Sequence, residues 1–225
     1  MTNEQVDIGF DSDDGVSERE VREQIVNRSR SLFERRFTHG STGNVSVRLA
    51  DGILITPTNS SLGSLDPDRI SKVRFTGEHV SGDKPSKEAF LHLAMYRSRP
   101  QESAVVHLHS TWSVAVSCLA DVDPTNVLPP ITAYQVMRVG ACPLVPYFAP
   151  GDAMLADAVG KQAEHARSML LANHGPVVAA KTLGAAVASA EELEETAKLF
   201  LMLRGLPTKY LDESAVTELR KKYPD

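Results

Sequence analysis

The sequence predicts an α/β fold in three α/β/α layers around a largely antiparallel central sheet. Short alternating apolar runs are separated by hairpin-type turns, while longer segments with helical periodicity flank them without a regular βαβα rhythm. A composition of 42% hydrophobic and 24% charged residues over 225 positions suits one large core, and no repeat or low-complexity linker divides it. Residues 1–14 read as a flexible N-terminal arm and 15–225 as a single domain.

Ser17 with Glu20 forms a capping box, and Val21, Ile25, Leu32 and Phe33 carry a helix to about Phe37. A polar loop from Gly40 to Asn44 leads into an alternating strand, Val45–Leu49. Asp51-Gly52 turns it into a return strand, Ile53–Ile55. Ile70–Phe75 and a partner near Glu78–Val80 suggest a second hairpin. Pro85-Ser86 opens a helix, with Ser86 as its N-cap, Glu88 in its first turn and Phe90, Leu91, Ala94 and Met95 on its apolar face. Ala104–His109 reads as a strand, Thr111–Leu119 and Asp152–Ala166 as helices, and Ser168–Ala172 and Val177–Ala180 as strands around the turn Asn173-His174-Gly175-Pro176. A long helix spans Leu183–Leu203, with Leu183, Val187, Ala190, Leu193, Ala197 and Leu201 in its apolar stripe and Glu191, Glu192, Glu194 and Glu195 on its other faces. Gly205 ends it, and a short terminal helix follows.

A net charge of −5 leaves no basic stripe for nucleic acid; Arg220, Lys221 and Lys222 read as a solvated helix end. Cys118 and Cys142 are too few for a disulfide framework, and the acidic start from Met1 to Asp14 lacks the apolar core of a signal peptide. No run reaches the roughly 20 apolar residues of a membrane span. The expectation is a cytoplasmic protein without membrane or nucleic-acid partners.

Within Val105-Val106-His107-Leu108-His109, the two histidines alternate with apolar residues. On a strand they share one face and can converge on one ion. His174, in a tight turn beside Gly175, is the natural third ligand, and three imidazoles leave zinc an open position for a substrate oxygen. Read alone, each histidine also fits a plain strand face or turn. Glu88 is the candidate acid/base, although a carboxylate at a helix start also simply complements the helix dipole. His92, one turn further on, reads as a weaker competitor for the metal; His39, His79 and His165 show no pairing signal. The loops Gly40–Asn44 and Thr56–Ser61 offer hydroxyls, amides and backbone N–H groups without bulk, as a phosphate requires, but match no nucleotide-binding fingerprint.

Gly43-Asn44-Val45-Ser46-Val47, Thr56-Pro57-Thr58, Pro85-Ser86-Lys87-Glu88, Val106-His107-Leu108-His109 and Asn173-His174-Gly175 occur in the order of the class II aldolase/adducin family, which the chain resembles over roughly residues 17 to 205. The resemblance implies an α/β/α homotetramer with active sites at subunit boundaries. It also implies one zinc ion per subunit on His107, His109 and His174, with Glu88 as acid/base and as fourth metal ligand when substrate is absent. Asn44, Thr58, Asn59 and Ser86 would surround the phosphate of a small phosphorylated sugar-acid substrate.

Two departures distinguish this chain from the family's aldolases. Lys87 stands where those carry a second serine, and Val136 stands where they carry a tyrosine that reaches the neighbouring subunit. Lys87, Pro146 to Gly151 and Glu191 to Phe200 instead resemble members that decarboxylate a phosphorylated 3-oxo sugar acid. The expected reaction gives dihydroxyacetone phosphate and CO2 through an enediolate, and Glu88, if protonated, can deliver the proton to carbon. A sugar-phosphate aldolase or 4-epimerase, and a non-enzymatic module like the adducin heads, are the alternatives.

Overall fold

A computed structural model describes residues 16–149 and 151–223; the arm expected over 1–14 lies outside them. Helix α1 (Glu18–Glu34) opens on the anticipated box, Ser17 and Glu20 each satisfying the other's backbone N–H. The helix stops three residues short of Phe37, where Arg36 takes a left-handed backbone conformation.

Among the described residues, eight strands form one sheet. In chain order they are β1 (Asn44–Leu49), β2 (Gly52–Ile55), β3 (Ser71–Arg74), β4 (His79–Ser81), β5 (Ala104–His107), β6 (Leu144–Val145), β7 (Ser168–Leu171) and β8 (Gly175–Ala180). Their spatial order is β4-β3-β2-β1-β5-β8-β7-β6, and every pair is antiparallel except β6 with β7. The largely antiparallel sheet is as the sequence predicts. Two residues of β6 are too few to show a period, and the sequence reading misses that strand.

Alternation sorts the central strands between two cores. Leu54, Ala104, Val106, Val178 and Ala180 face a core shared with α1, α3 (Thr111–Ser117) and α5 (Leu183–Leu203). Ile53, Ile55, Val105, Val177 and Ala179 face a second core shared with α2 (Ala89–Ser98) and α4 (Ala153–Ala163). These are the three layers. Helix α6 (Glu213–Lys222) follows the left-handed Gly205 and ends on its three basic residues.

Three local expectations are corrected. Ser86 does not cap α2; Glu88 holds the N-cap position, and Ser86 Oγ instead accepts the Glu88 N–H at 3.2 Å. Strand β5 ends at His107, leaving His109 in the segment beyond it. Glu194 lies inside rather than on an outer face of α5, because it binds the start of α3. Residues 135–139 form a π-helical turn that buries Val136, a register no 3.6-residue pattern reveals.

Candidate active site

Strand β1 lies beside β5 with Asn44 directly opposite His107, so the first residue of one strand meets the last of the other. Gly43 makes this entry possible: its backbone is left-handed, and a Cβ there would lie 3.0 Å from the His107 carbonyl oxygen. Beyond β5, Leu108 is buried in the core and its N–H donates to the Pro176 carbonyl at 3.2 Å, which fixes the segment that carries His109. The turn bearing His174 closes onto the same segment. A Cβ on Gly175 would stand 2.2 Å from the Leu108 carbonyl oxygen, so only glycine fits.

These constraints bring His107, His109, His174 and Glu88 together, with one ligand atom from each within 4.8 Å of the others. His109 Nε2 lies 3.2 Å from His107 Nε2 and 3.1 Å from His174 Nε2. Glu88 closes the set, with Oε2 3.4 Å from His107 Nε2 and Oε1 3.1 Å from His174 Nε2. Ligands about 2.0–2.1 Å from a tetrahedral zinc stand about 3.3–3.4 Å apart, so the residues present fit a divalent ion. The ring orientation agrees. His107 Nδ1 donates to the Pro176 carbonyl at 2.8 Å, which leaves the Nε2 lone pair facing the cluster. The expected convergence is therefore real, although His109 reaches it from a loop rather than from a shared strand face.

Burial pushes His107 below its ordinary range. Burial, reinforced by the neighbouring rings, takes His109 down to about 3. Both rings are thus neutral near pH 7, as metal ligands must be. Burial alone would raise the Glu88 carboxyl, but His107, His174 and the Asn44 amide together hold it well below the usual carboxylate range. Glu88 therefore rests as a carboxylate.

Two cavities meet at this cluster. The smaller, about 180 Å³, is lined by Asn44, Thr58, Asn59, Ser86, Lys87 and Glu88 among others, and also touches His109. All the residues the resemblance assigns to phosphate therefore border one space. The Thr58 N–H donates to the Lys84 carbonyl at 2.9 Å. Asn44 is committed elsewhere: its Nδ2 donates to Glu88 Oε2 at 2.7 Å and its Oδ1 accepts from His92 Nε2.

The larger cavity, about 580 Å³, is lined by His39, Val114, Tyr147, Phe148, His109 and His174 among others. His109 belongs to both spaces, so the cluster stands between them. His39 escapes sequence reasoning because no spacing ties its loop to the cluster, whereas Tyr147 and Phe148 fall within the Pro146 to Gly151 segment that sets the chain apart from the aldolases. His92 is fully buried beneath Asn44 and outside the metal cluster; its signal was the i, i+4 spacing from Glu88. Tyr134 is 58% exposed and Val136 is buried.

Residues 23–201 match the family described as the Class II Aldolase and Adducin N-terminal domain, and the chain belongs to that family. It is an enzyme, of the lyase class. A 3-oxo-tetronate 4-phosphate decarboxylase from Escherichia coli (strain K12) is 51% identical over 210 residues, spanning 93% of this chain and 99% of that one. A protein of the same name from Pectobacterium atrosepticum is 50% identical over 204 residues, 90% of this chain and 94% of its own. The crystal structure of YgbL from Escherichia coli overlays with a TM-score of 0.88 at 50% identity, covering 90% of this chain and 99% of that chain.

Proposed function

We propose that this enzyme converts 3-oxo-tetronate 4-phosphate to dihydroxyacetone phosphate and CO2, with one zinc ion held by His107, His109 and His174. The carrying observation is the Glu88–trihistidine cluster bordering a polar cavity that contains Lys87. The names of relatives about half identical over nearly the whole chain support the choice of reaction.

A divalent ion, when bound, supplies Lewis-acid stabilisation of the negative charge that develops on a substrate oxygen. The protein does the rest. Thr58, Asn59, Ser86 and Lys87 hold the phosphate in the smaller cavity, which places the substrate's ketone and hydroxyl beside the cluster. The carboxylate then points away from the phosphate end. Loss of CO2 leaves an enediolate, and the overall reaction consumes one proton. Glu88, a carboxylate at rest, takes up that proton and passes it to the carbon from which CO2 has left. The larger cavity, walled partly by Val114 and Phe148, gives the departing neutral CO2 an apolar surround.

The same reading takes residues 15–225 as one catalytic domain, in a cytoplasmic homotetramer whose active sites lie at subunit boundaries. Two unpaired cysteines support a reducing compartment. Tyr147, 62% exposed at the mouth of the larger cavity, suits a site that a neighbouring subunit completes. Among the described residues no helix is long and apolar enough to cross a membrane.

The test is product analysis with 3-oxo-tetronate 4-phosphate and, in parallel, fuculose 1-phosphate. The expected outcome is one CO2 per dihydroxyacetone phosphate from the first compound and no cleavage of the second. Cleavage of fuculose 1-phosphate without CO2 release from the sugar acid would replace the decarboxylase with an aldolase.

A further inference from the structure

Beneath Glu88 runs a chain of buried polar groups that metal ligation does not require. Glu88, His92 and Tyr96 recur at i, i+4 and i+8, so one face of α2 with the N-cap before it carries all three. Asn44 and Ser46, two apart on β1, face them. Asn44, Ser46, His92 and Tyr96 are 4%, 0%, 0% and 1% exposed, so each polar atom must find its partner within the protein.

The direction of every hydrogen bond follows from one end. The Glu88 carboxylate can only accept, so the Asn44 group 2.7 Å from Oε2 is the amide nitrogen. Asn44 Oδ1 then faces His92 Nε2 and must accept, which places a proton on Nε2. Burial pushes His92 down to about 3, so the ring is neutral and carries one N–H. Nδ1 is therefore an acceptor, and Ser46 Oγ, 2.7 Å away, donates to it. Ser46 Oγ in turn accepts from the Tyr96 hydroxyl at 2.9 Å. All five groups are satisfied by this single assignment. A reversed Asn44 amide would set an oxygen against the carboxylate and an NH2 against the ring N–H.

We propose that His92, as its Nε2–H tautomer, is a positioning residue that locks the Asn44 amide and thereby keeps one donor fixed on Glu88. The catalytic consequence rests on the proton-transfer role given to Glu88 above; the tautomer does not. Without the His92 donor the Asn44 amide can turn over, and Glu88 loses its fixed partner and its aim.

Nitrogen-15 NMR of the histidine side chains in the metal-loaded protein tests the tautomer, with the His92 signals identified by their loss in His92→Gln. Protonated Nε2 and bare Nδ1 are expected; protonated Nδ1, or a cationic ring, overturns the proposal. Kinetics of two variants test the consequence. Glutamine can still present an N–H near the Nε2 position, and leucine cannot. His92→Leu is expected to lower kcat about 30-fold with KM within about threefold of wild type, and His92→Gln to stay within about fivefold. Equal losses in the two variants would assign the effect to ring volume and overturn the positioning role, as would near-normal turnover in His92→Leu. If His92→Leu does not fold, the NMR result and the His92→Gln kinetics decide, with a loss beyond tenfold in His92→Gln counting against the proposal. Wild-type protein that releases no CO2 would instead sink the reaction itself, while the tautomer measurement still stands.

Discussion

A lysine that neutralises a phosphate does so equally before and during the reaction, so its removal shows mainly in KM. An ammonium aimed at the departing carboxylate would behave otherwise. It would stabilise the substrate more than the enediolate, because the carboxylate leaves as neutral CO2. Lys87 shares its cavity with Thr58, Asn59 and Ser86, which supports the phosphate end. Lys87→Ser is expected to raise KM about tenfold with a smaller change in kcat. An unchanged KM, or a rise in kcat, would move the lysine to the carboxylate end. The three histidines of the cluster were legible because His-x-His and Asn-His-Gly are dense local patterns. His92 was not. Its importance lies in what its two nitrogens face, and a lone histidine on a helix gives no sign of that.

Helix α3 follows directly on His109, and its N-cap, Ser110, makes no side-chain capping bond. The capping group comes from another helix. Glu194, in the middle of α5, accepts the Trp112 and Ser113 N–H groups at 2.8 Å each and the Ser113 hydroxyl at 2.7 Å. A carboxylate here satisfies two orphan donors and complements the positive end of the helix. Glu194→Ala leaves both N–H groups without this partner, that of Ser113 in a buried setting, and is expected to destabilise the fold by about 2–4 kcal/mol. Urea unfolding is the measurement; a loss under about 0.5 kcal/mol would mean that water replaces the carboxylate. Sequence periodicity could not find this contact. In a run of four glutamates within five positions, the one that turns inward is chosen by its partner across the core. Glu191 instead pairs with Arg35. The start of α2 was misplaced for a related reason: Ser86 is a good capping residue, but the Pro57–Pro85 bridge holds it back from the helix.

The layered fold was legible from alternation alone, since Ile53-Leu54-Ile55 and Ala104-Val105-Val106 each send neighbours into opposite cores. The strand order was not, because β5 and β8 pair across about 70 residues of intervening chain and nothing local specifies that partner. Yet that pairing makes the site. It sets the end of β5 against the start of β8, so that His107 and His109 meet His174, while the N-cap position of α2 brings Glu88 to them. The donor set this topology assembles is matched to one divalent ion. The most direct test is the metal content per chain of purified, folded protein that releases CO2 from 3-oxo-tetronate 4-phosphate. One divalent ion per chain, lost when His107, His109 and His174 are replaced by alanine, is the expected result; active protein with no bound metal would contradict the account.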